Sequence, residues 1–412
     1  MKMKKFAAKT HAKTSLAMPV KAALMALAIG ASYSASAAYT SFADAYSAYQ
    51  QSLAGIDKVD IAVKARQAFE LGKQEYAADS ANYAALMMNY ANAIAATTMS
   101  GGQSGKLCIE SSQRVAEGAQ PSEKLSTFDA CSSEHLRQQA FELYHQALQI
   151  YQQQYGDKAL ETIDPLLGMA QTTELEQEKK YFSFDAINVA EKHGDALTLA
   201  ATQLAAYKLL HRAKYYLHNT NKVDNLALDA LKTYRNNAPA NSFEVVDAEL
   251  TVAKLHLEKK QYDDAEPLFQ DVIKQLDVLP YSHPYALTAH ALLVKLYQEA
   301  DASEKATLHC KAIGQATPWD DNQQPAPLYS QAPLYPILYA RQHKAGSVEL
   351  AFTIDENGTV QNPQVVNVTG GERFADEAIT ALKQWRYAPK FENGKAVAAQ
   401  SSLKLDFKLD GR

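Results

Sequence analysis

The chain has 412 residues, with 41 basic and 46 acidic side chains and a formal net charge of −5. This balance provides no basic surface for a nucleic acid, so no nucleic-acid partner is expected. With 47% hydrophobic residues, 14 Pro and 17 Gly, the composition is that of ordinary globular protein, long enough for two or three domains.

Residues 1–38 have the layout of a secretory signal peptide. Lysines but no acidic residue occur in residues 1–21, an apolar stretch runs from Ala22 to Ala31, and small residues follow at 35–38. A membrane-spanning helix needs about twenty apolar residues, roughly twice the length of this stretch. We therefore expect export, with cleavage near Ala37 or Ala38. A retained leader, the alternative, would anchor the chain to the inner membrane.

Residues 39–317 have helical periodicity nearly throughout, and the pattern repeats. One set of positions recurs 41 residues later: Ala253, His256, Ala265 and Phe269 return as Val294, Tyr297, Ala306 and Cys310. Small residues twelve positions apart let two helices approach, and an aromatic residue four positions on fills the space between repeats. The pattern predicts stacked helix pairs, with residues 98–133 as an insertion between the two helices of one repeat.

These repeats resemble the tetratricopeptide family, and their longer period is most similar to the kinesin-light-chain type. The resemblance implies an all-α solenoid that binds a protein partner.

Three cysteines in an exported chain raise the question of a disulfide. Cys108 and Cys131 bracket a polar segment with no core of its own, and closing that loop would stabilise the fold by about 3 kcal/mol in the chain-entropy model. We predict a Cys108–Cys131 disulfide and a buried, unpaired thiol at Cys310.

Residues 318–332 are rich in proline and predict a stiff linker in front of a last domain. In that domain, alternating apolar residues from Gly346 to Ile354 predict a strand with one buried face, and Asn357-Gly358 predicts a tight hairpin turn. The return strand, residues 359–368, contains Pro363, so we expect it to be bulged or to lie at a sheet edge.

The remainder of the domain predicts one helix and one long strand. Helical spacing relates five apolar residues, namely Phe374, Ala378, Ala381, Leu382 and Trp385. After a turn at Asn393-Gly394, alternation continues from Val397 to Leu409. We expect the outer edge of this strand to be uncovered. Such an edge is either blunted by charge, here Lys404 and Lys408, or used to recruit an extended peptide.

Residues 333–412 resemble the C-terminal domain of TonB-family proteins. The resemblance rests on Pro333-Leu334-Tyr335-Pro336, the hairpin glycine and Trp385-Arg386-Tyr387-x-Pro389. In that family the domain lies in the periplasm of Gram-negative bacteria and binds a short segment of an outer-membrane transporter by strand addition. Ala332 departs from the pattern, because well-known members have a glutamine there that contacts the transporter peptide.

The resemblance implies two groups of residues. The expected partner-binding residues are Pro333, Tyr335, Pro336, Leu403, Lys404, Leu405, Asp406 and Phe407. The expected structural core consists of Phe352, Gly358, Phe374, Trp385, Tyr387 and Pro389.

Catalytic and metal motifs are missing from the sequence. No His-Glu-x-x-His, paired Cys-x-x-Cys or Gly-x-Ser-x-Gly occurs, and the Gly101–Lys106 segment lacks the Gly-Lys-Ser/Thr ending of a phosphate loop. We expect no metal, no cofactor and no enzyme activity.

The sequence therefore predicts an α+β multidomain protein: an all-α tetratricopeptide-like solenoid followed by a small ββαβ domain. Its expected role is that of a periplasmic adaptor of a TonB-type transport system, in which strand addition binds an outer-membrane transporter and the repeats dock another envelope protein. Two alternatives stay open. One is a scaffold for envelope assembly whose C-terminal domain self-associates into a homodimer. The other is a membrane-anchored energy transducer.

Overall fold

The structure is a computed structural model that describes Tyr39 and residues 41–98, 132–213, 218–320 and 322–409. The predicted leader and the predicted Cys108–Cys131 disulfide lie outside the described residues. Cys310 is free and buried, as predicted.

The first part of the described chain is a series of helices in which each packs on the next. They are α1 Phe42–Ser52, α2 Lys58–Glu75, α3 Ala81–Thr98, α4 Ser133–Tyr155, α5 Ile163–Thr172, α6 Glu176–His193, α7 Ala196–Leu210, α8 Thr220–Asn237, α9 Phe243–Glu258, α10 Tyr262–Leu276, α11 Pro284–Glu299 and α12 Ser303–Ala316. Helix α5 is preceded by a short 3₁₀ turn, Leu160–Thr162.

Alternate helices also contact each other, α3 with α5, α5 with α7 and α9 with α11, so the helices form a stack of pairs. The 41-residue repeat explains the packing of the last two pairs. Ala253 and Ala265 in the α9–α10 pair and Ala306 in α12 are fully buried, and the large side chains of Phe269 and Tyr297 fill the space beside them. The predicted helical repeat array is confirmed.

Ionic contacts join successive pairs of the array. The buried carboxylate of Glu249 on α9 accepts two hydrogen bonds from Arg235 on α8, at 3.0 and 2.6 Å. Asp224 on α8, also buried, is paired with Lys259. A buried carboxylate requires such a partner, and these pairs fix the relative position of α8 and α9.

The C-terminal part contains a short helix α13, Ile337–Arg341, and a three-stranded antiparallel sheet in the order β2-β1-β5. Strands β1 Gly346–Ile354, β2 Val360–Thr369 and β5 Ala399–Phe407 form this sheet, and helix α14, Arg373–Leu382, packs on one face. Apolar side chains of β1 are buried against Phe374, Ala378 and Leu382 of the helix. Strand β5 lies at an edge.

Two details differ from the predicted ββαβ unit. First, α14 ends at Leu382, so Trp385 lies in the turn beyond it, where the indole N–H donates to the carbonyl of Gln331 at 2.9 Å. Secondly, the predicted single final strand is interrupted at Ala398. Its first part, β4 Lys395–Val397, pairs with an unpredicted strand β3, Lys390–Glu392, in a separate two-stranded sheet.

Strand β2 is irregular, as Pro363 predicted. Its register with β1 shifts at two places, and Asn362 next to the proline has a φ of 49°. Strand β2 lies at the other edge of the sheet, where a residue without a backbone N–H is tolerated.

The sheet domain packs directly on the last repeat. Helix α12 contacts β3 and β4, and a Cβ atom at Gly314 would lie only 2.3 Å from the carbonyl oxygen of Pro389. Gly358 in the β1–β2 turn also lies close to α12, because a Cβ atom at this position would be 3.1 Å from the Cβ atom of Cys310. The array and the sheet domain thus belong to one compact unit, Ser41–Arg412.

The proline-rich segment is bound to both parts and does not form a free spacer. Trp319 packs against the core of the sheet domain, whereas Leu328 and Tyr329 pack against the core of the array. Backbone bonds also join Tyr329 and Arg386 in an isolated antiparallel bridge.

Replacing Gly314 by Ala tests this contact. In an unconstrained helix Ala is more stable than Gly by about 1 kcal/mol. Here we expect Gly314→Ala to lower the thermal unfolding midpoint, because the new methyl group overlaps the Pro389 carbonyl, and overpacking typically costs about 1–3 kcal/mol. Gln315→Ala, at an exposed position of the same helix, is the matched control and should not lower it. A Gly314→Ala protein as stable as the control would contradict the tight contact.

Candidate partner-binding edge

The candidate site is the outer edge of β5. On its inner side β5 pairs with β1 without interruption from Ala399 to Phe407. On its outer side no other strand among the described residues pairs with it. A regular strand with an unpaired side is a template for one further strand.

The directions in which the backbone N–H and C=O groups of β5 point can be deduced from the hydrogen bonds of β1. The N–H of Ser347 donates to Thr369 Oγ1 at 2.9 Å, and the N–H of Asp355 donates to the carbonyl of Thr359 at 3.0 Å. Odd-numbered residues of β1 therefore face β2, and even-numbered residues such as Val348 and Leu350 face β5.

In the β1–β5 register, Val348 lies opposite Leu405 and Leu350 opposite Leu403. Leu403 and Leu405 thus use their backbone groups for the ladder with β1. The backbone N–H and C=O groups of Ser402, Lys404 and Asp406 consequently point to the open side.

Side chains alternate between the two faces of the sheet. Leu403 and Leu405 are partly buried against the core, and Phe407 is buried at 3% exposure. Lys404 and Asp406 are exposed on the opposite face, where the Lys404 ammonium lies 3.8 Å from Glu349 on β1. Of the predicted partner-binding residues on β5, then, only Lys404 and Asp406 present both backbone and side chain to the solvent.

The predicted partner-binding residues in front of the sheet, Pro333, Tyr335 and Pro336, lie in different environments. The Tyr335 ring packs against Phe374 and Phe407, and its hydroxyl donates to the carbonyl of Lys344 at 2.7 Å. Tyr335 thereby fixes the end of β5 to the core. Pro336 is buried directly before helix α13, and Pro333 is half-buried.

The apolar side chains beside Tyr335 are exposed, which the sequence did not predict. Leu334 and Ile337 are each 73% exposed, and Leu338 is 44% exposed. The sequence does contain a signal for them, because apolar residues occur between Pro333 and Pro336 and directly after Pro336. Exposed apolar side chains near an open edge can contact an incoming strand.

The predicted core residues lie together behind this edge. Phe352, Phe374 and Tyr387 are almost completely buried, and Trp385 is 9% exposed. Gly358 has a φ of 75°, in the region that favours glycine, and its carbonyl accepts the N–H of Tyr387 at 2.9 Å. The carbonyl of Pro389 contacts the last repeat at Gly314.

One part of the edge is approached by the proline-rich segment. The side-chain amide of Gln324 donates to the hydroxyl of Ser402 at 3.1 Å. The portion of the edge farther along, at Lys404 and Asp406, has no such contact among the described residues. We therefore take Lys404 and Asp406 as the centre of the candidate site.

The C-terminal residues are similar in sequence to known proteins. The sequence model of the family described as Gram-negative bacterial TonB protein C-terminal matches residues 331–409. The C-terminal region is a TonB-type domain. The chain is 31% identical over 86 residues to Protein TonB of Pseudomonas aeruginosa and 29% identical over 79 residues to Protein TonB of Vibrio cholerae.

These matches cover 21% and 19% of the chain and only 25% and 32% of the two relatives. Among solved structures, the chain is similar to the solution structure of the P. aeruginosa TonB C-terminal domain, with 29% identity, coverage of 22% of this chain and 93% of that one, and a TM-score of 0.20. A putative kinesin light chain from Podosopora anserina has 15% identity, coverage of 50% and 92%, and a TM-score of 0.37.

In the part of the chain that the structure describes, no helix combines the length and apolar character needed to span a bilayer. The same residues contain no group of three or more His, Cys, Asp or Glu side chains placed to hold a metal ion.

Asp355 organises the turn that connects β1 to β2. Its carboxylate accepts hydrogen bonds from the N–H groups of Asn357 and Thr359, at 2.9 and 2.8 Å, and from the side chains of Thr359 and Gln361. Burial alone would raise the pKa of this carboxyl, but the hydrogen bonds from Thr359, Asn357 and Gln361 outweigh burial and lower it.

A lowered pKa in the folded state stabilises the fold at neutral pH, and this contribution is lost as the pH falls through the folded-state pKa. We expect Asp355→Asn to reduce the free energy of unfolding by about 1–2 kcal/mol at pH 7, because hydrogen bonds to a charged acceptor are lost. The deficit should shrink as the pH is lowered below the ordinary aspartate pKa of about 4. Urea unfolding at several pH values measures this, with the exposed neighbour Glu356→Gln as control. A deficit independent of pH would contradict the role of the charge.

Proposed function

We propose that the protein is a periplasmic adaptor of a TonB-type transport system. In this proposal β5 binds an extended segment of an outer-membrane TonB-dependent transporter by strand addition, and the helical array holds another envelope protein. The observation that carries the proposal is the regular, unpaired outer side of β5 in a domain of the TonB type.

The two edges of the sheet are not equivalent, which supports β5 as the binding edge. The β2 edge contains register shifts and Pro363, both of which interrupt a ladder of hydrogen bonds. Strand β5 keeps its register over its whole length and directs the backbone of Lys404 and Asp406 outward. Of the two edges of this sheet, β5 is therefore the one at which an extended peptide can form consecutive backbone hydrogen bonds.

The helical array offers surface for a second partner. Several large apolar side chains of the array are exposed, including Leu175, Tyr181, Phe243 and Tyr281, each more than half exposed. Aromatic side chains are enriched at the centres of protein interfaces. Stacked repeats also present an extended surface suited to proteins rather than small molecules.

A periplasmic location follows in this proposal from the predicted leader together with the TonB-type domain. The leader would be removed on export, which leaves an adaptor without an anchor. If the leader is retained, the same β5 edge would belong to an inner-membrane-anchored transducer. The mass of the mature N-terminus separates the two cases.

Proline at position 404 tests strand addition. Lys404→Pro removes an outward N–H but no bond of the β1–β5 ladder, so the fold should persist and binding of an extended transporter peptide should weaken at least about tenfold. Proline at Leu403 or Leu405 would break the ladder itself and could not separate binding from folding. Binding of the peptide to the purified chain by calorimetry, with circular dichroism to confirm the fold, is the measurement.

Lys404→Ala is the matched control, since it removes the same side chain and the Glu349 contact but keeps the N–H. It should bind nearly as well as the native chain. A folded Lys404→Pro protein with native affinity would refute strand addition at β5. If the chain instead forms a dimer that Lys404→Pro abolishes, and binds no peptide, self-association in an envelope scaffold replaces the adaptor.

A further inference from the structure

A second candidate site lies where the array meets the sheet domain. A cavity of about 370 Å³ opens between the turn that joins α11 to α12 and the turn after α14. Its lining is polar and includes Asp301, Ser303, Tyr329, Thr359, Lys383 and Arg386. Neither the β5 edge nor the proposed adaptor role uses this cavity.

Arg386 is the central residue of the cavity wall. It is only 6% exposed, and its guanidinium donates from Nε to Gln298 Oε1 at 3.0 Å and from Nη2 to the carbonyl of Ser303 at 3.1 Å. Both acceptors are neutral. The remaining nitrogen, Nη1, is buried and has no hydrogen-bond partner.

A buried guanidinium without a counter-ion is unfavourable, because desolvation is not offset by a nearby negative charge. Among the described residues, no carboxylate lies within ion-pair distance of Arg386 or of Lys383, which is exposed at the same cavity. Asp301 supplies the one negative charge of the lining, against the two positive charges of Lys383 and Arg386.

The helix that begins at the cavity adds to this positive potential. Helix α12 has 14 residues, its first residue Ser303 lines the cavity, and its N-cap residue Ala302 provides no side-chain hydrogen bond. The unbonded N–H groups at the start of a helix favour an anion.

We propose that this cavity binds a small oxyanion, a phosphate or carboxylate group, held by Lys383 and the start of α12 and neutralising Arg386. Lys383 and Arg386 belong to the sheet domain, whereas Ser303 belongs to the array. An oxyanion between them fastens the two parts together, and it stabilises the orientation in which β5 is presented. This site does not depend on whether β5 binds a transporter.

Calorimetric titration tests the proposal. The purified chain is titrated with inorganic phosphate and, in parallel, with acetate. Sodium chloride at the same ionic strength is the reference titration. We expect saturable binding of at least one of the two anions. Which of them binds more tightly separates phosphate from carboxylate chemistry. Lys383→Gln should weaken the affinity about tenfold, the effect of losing one charge-assisted contact. Lys395→Gln, at an exposed lysine of β4 away from the cavity, should leave it unchanged.

Asp301→Asn is the sharper variant, because it should act in the opposite direction. Asp301 has a φ of 54°, a conformation that Asn also adopts, so the change removes the charge with little effect on the backbone. Removing the one carboxylate of the lining should tighten oxyanion binding about threefold or more. No saturable binding, or an affinity that neither Lys383→Gln nor Asp301→Asn alters (an adventitious ion only), would overturn the proposal.

Discussion

The close contact between Gly314 on the last repeat helix and the Pro389 carbonyl fixes the position of the sheet domain on the helical array. A stack of helix pairs exposes the apolar side of its last helix unless something covers it. Here β3 and β4 cover α12, and Cys310 beneath the β1–β2 turn is fully buried. The small sheet domain therefore serves as the cap of the array. Because the cap uses the β3–β4 side, no other described strand pairs with the outer edge of β5, and that edge stays open at Lys404 and Asp406.

This arrangement has a mechanical consequence. A domain on a long proline-rich spacer would transmit force only along the spacer, and its orientation would vary. In this protein Trp319 and Tyr329 hold the segment against both parts, and Arg386 joins the sheet domain to α11 and α12 through Gln298 and Ser303. A load applied at β5 would pass through β1 and this interface into the array.

Sequence patterns predicted those helices and strands that depend only on residues near each other in the chain. The alternation in residues 346–354 gave the correct strand because side-chain direction in a strand depends only on position. The end of α14 was not predictable in this way, since Trp385 leaves the helix to donate to the carbonyl of Gln331, 54 positions away. Strand β3 was missed for a similar reason: only three residues long, it packs against α12 of the array. Prolines in residues 318–332 predicted stiffness, but the packing of Trp319 depends on a core formed later in the chain.

At the candidate site, the sequence predicted a strand with an open edge, but its side-chain pattern could not show which backbone groups point to that edge. Leu403 and Leu405 were expected to bind a partner, and the structure uses their backbone for β1 and their side chains for the core. The free groups belong to Ser402, Lys404 and Asp406.

Backbone hydrogen bonds alone would accept almost any extended peptide, so selectivity must come from side chains beside the new strand. Lys404 and Asp406 present opposite charges two positions apart, and a peptide with complementary charges at the same spacing would bind best in one register. A shift by two residues would place like charges together, so in the proposed complex this alternation would fix the register of the added strand.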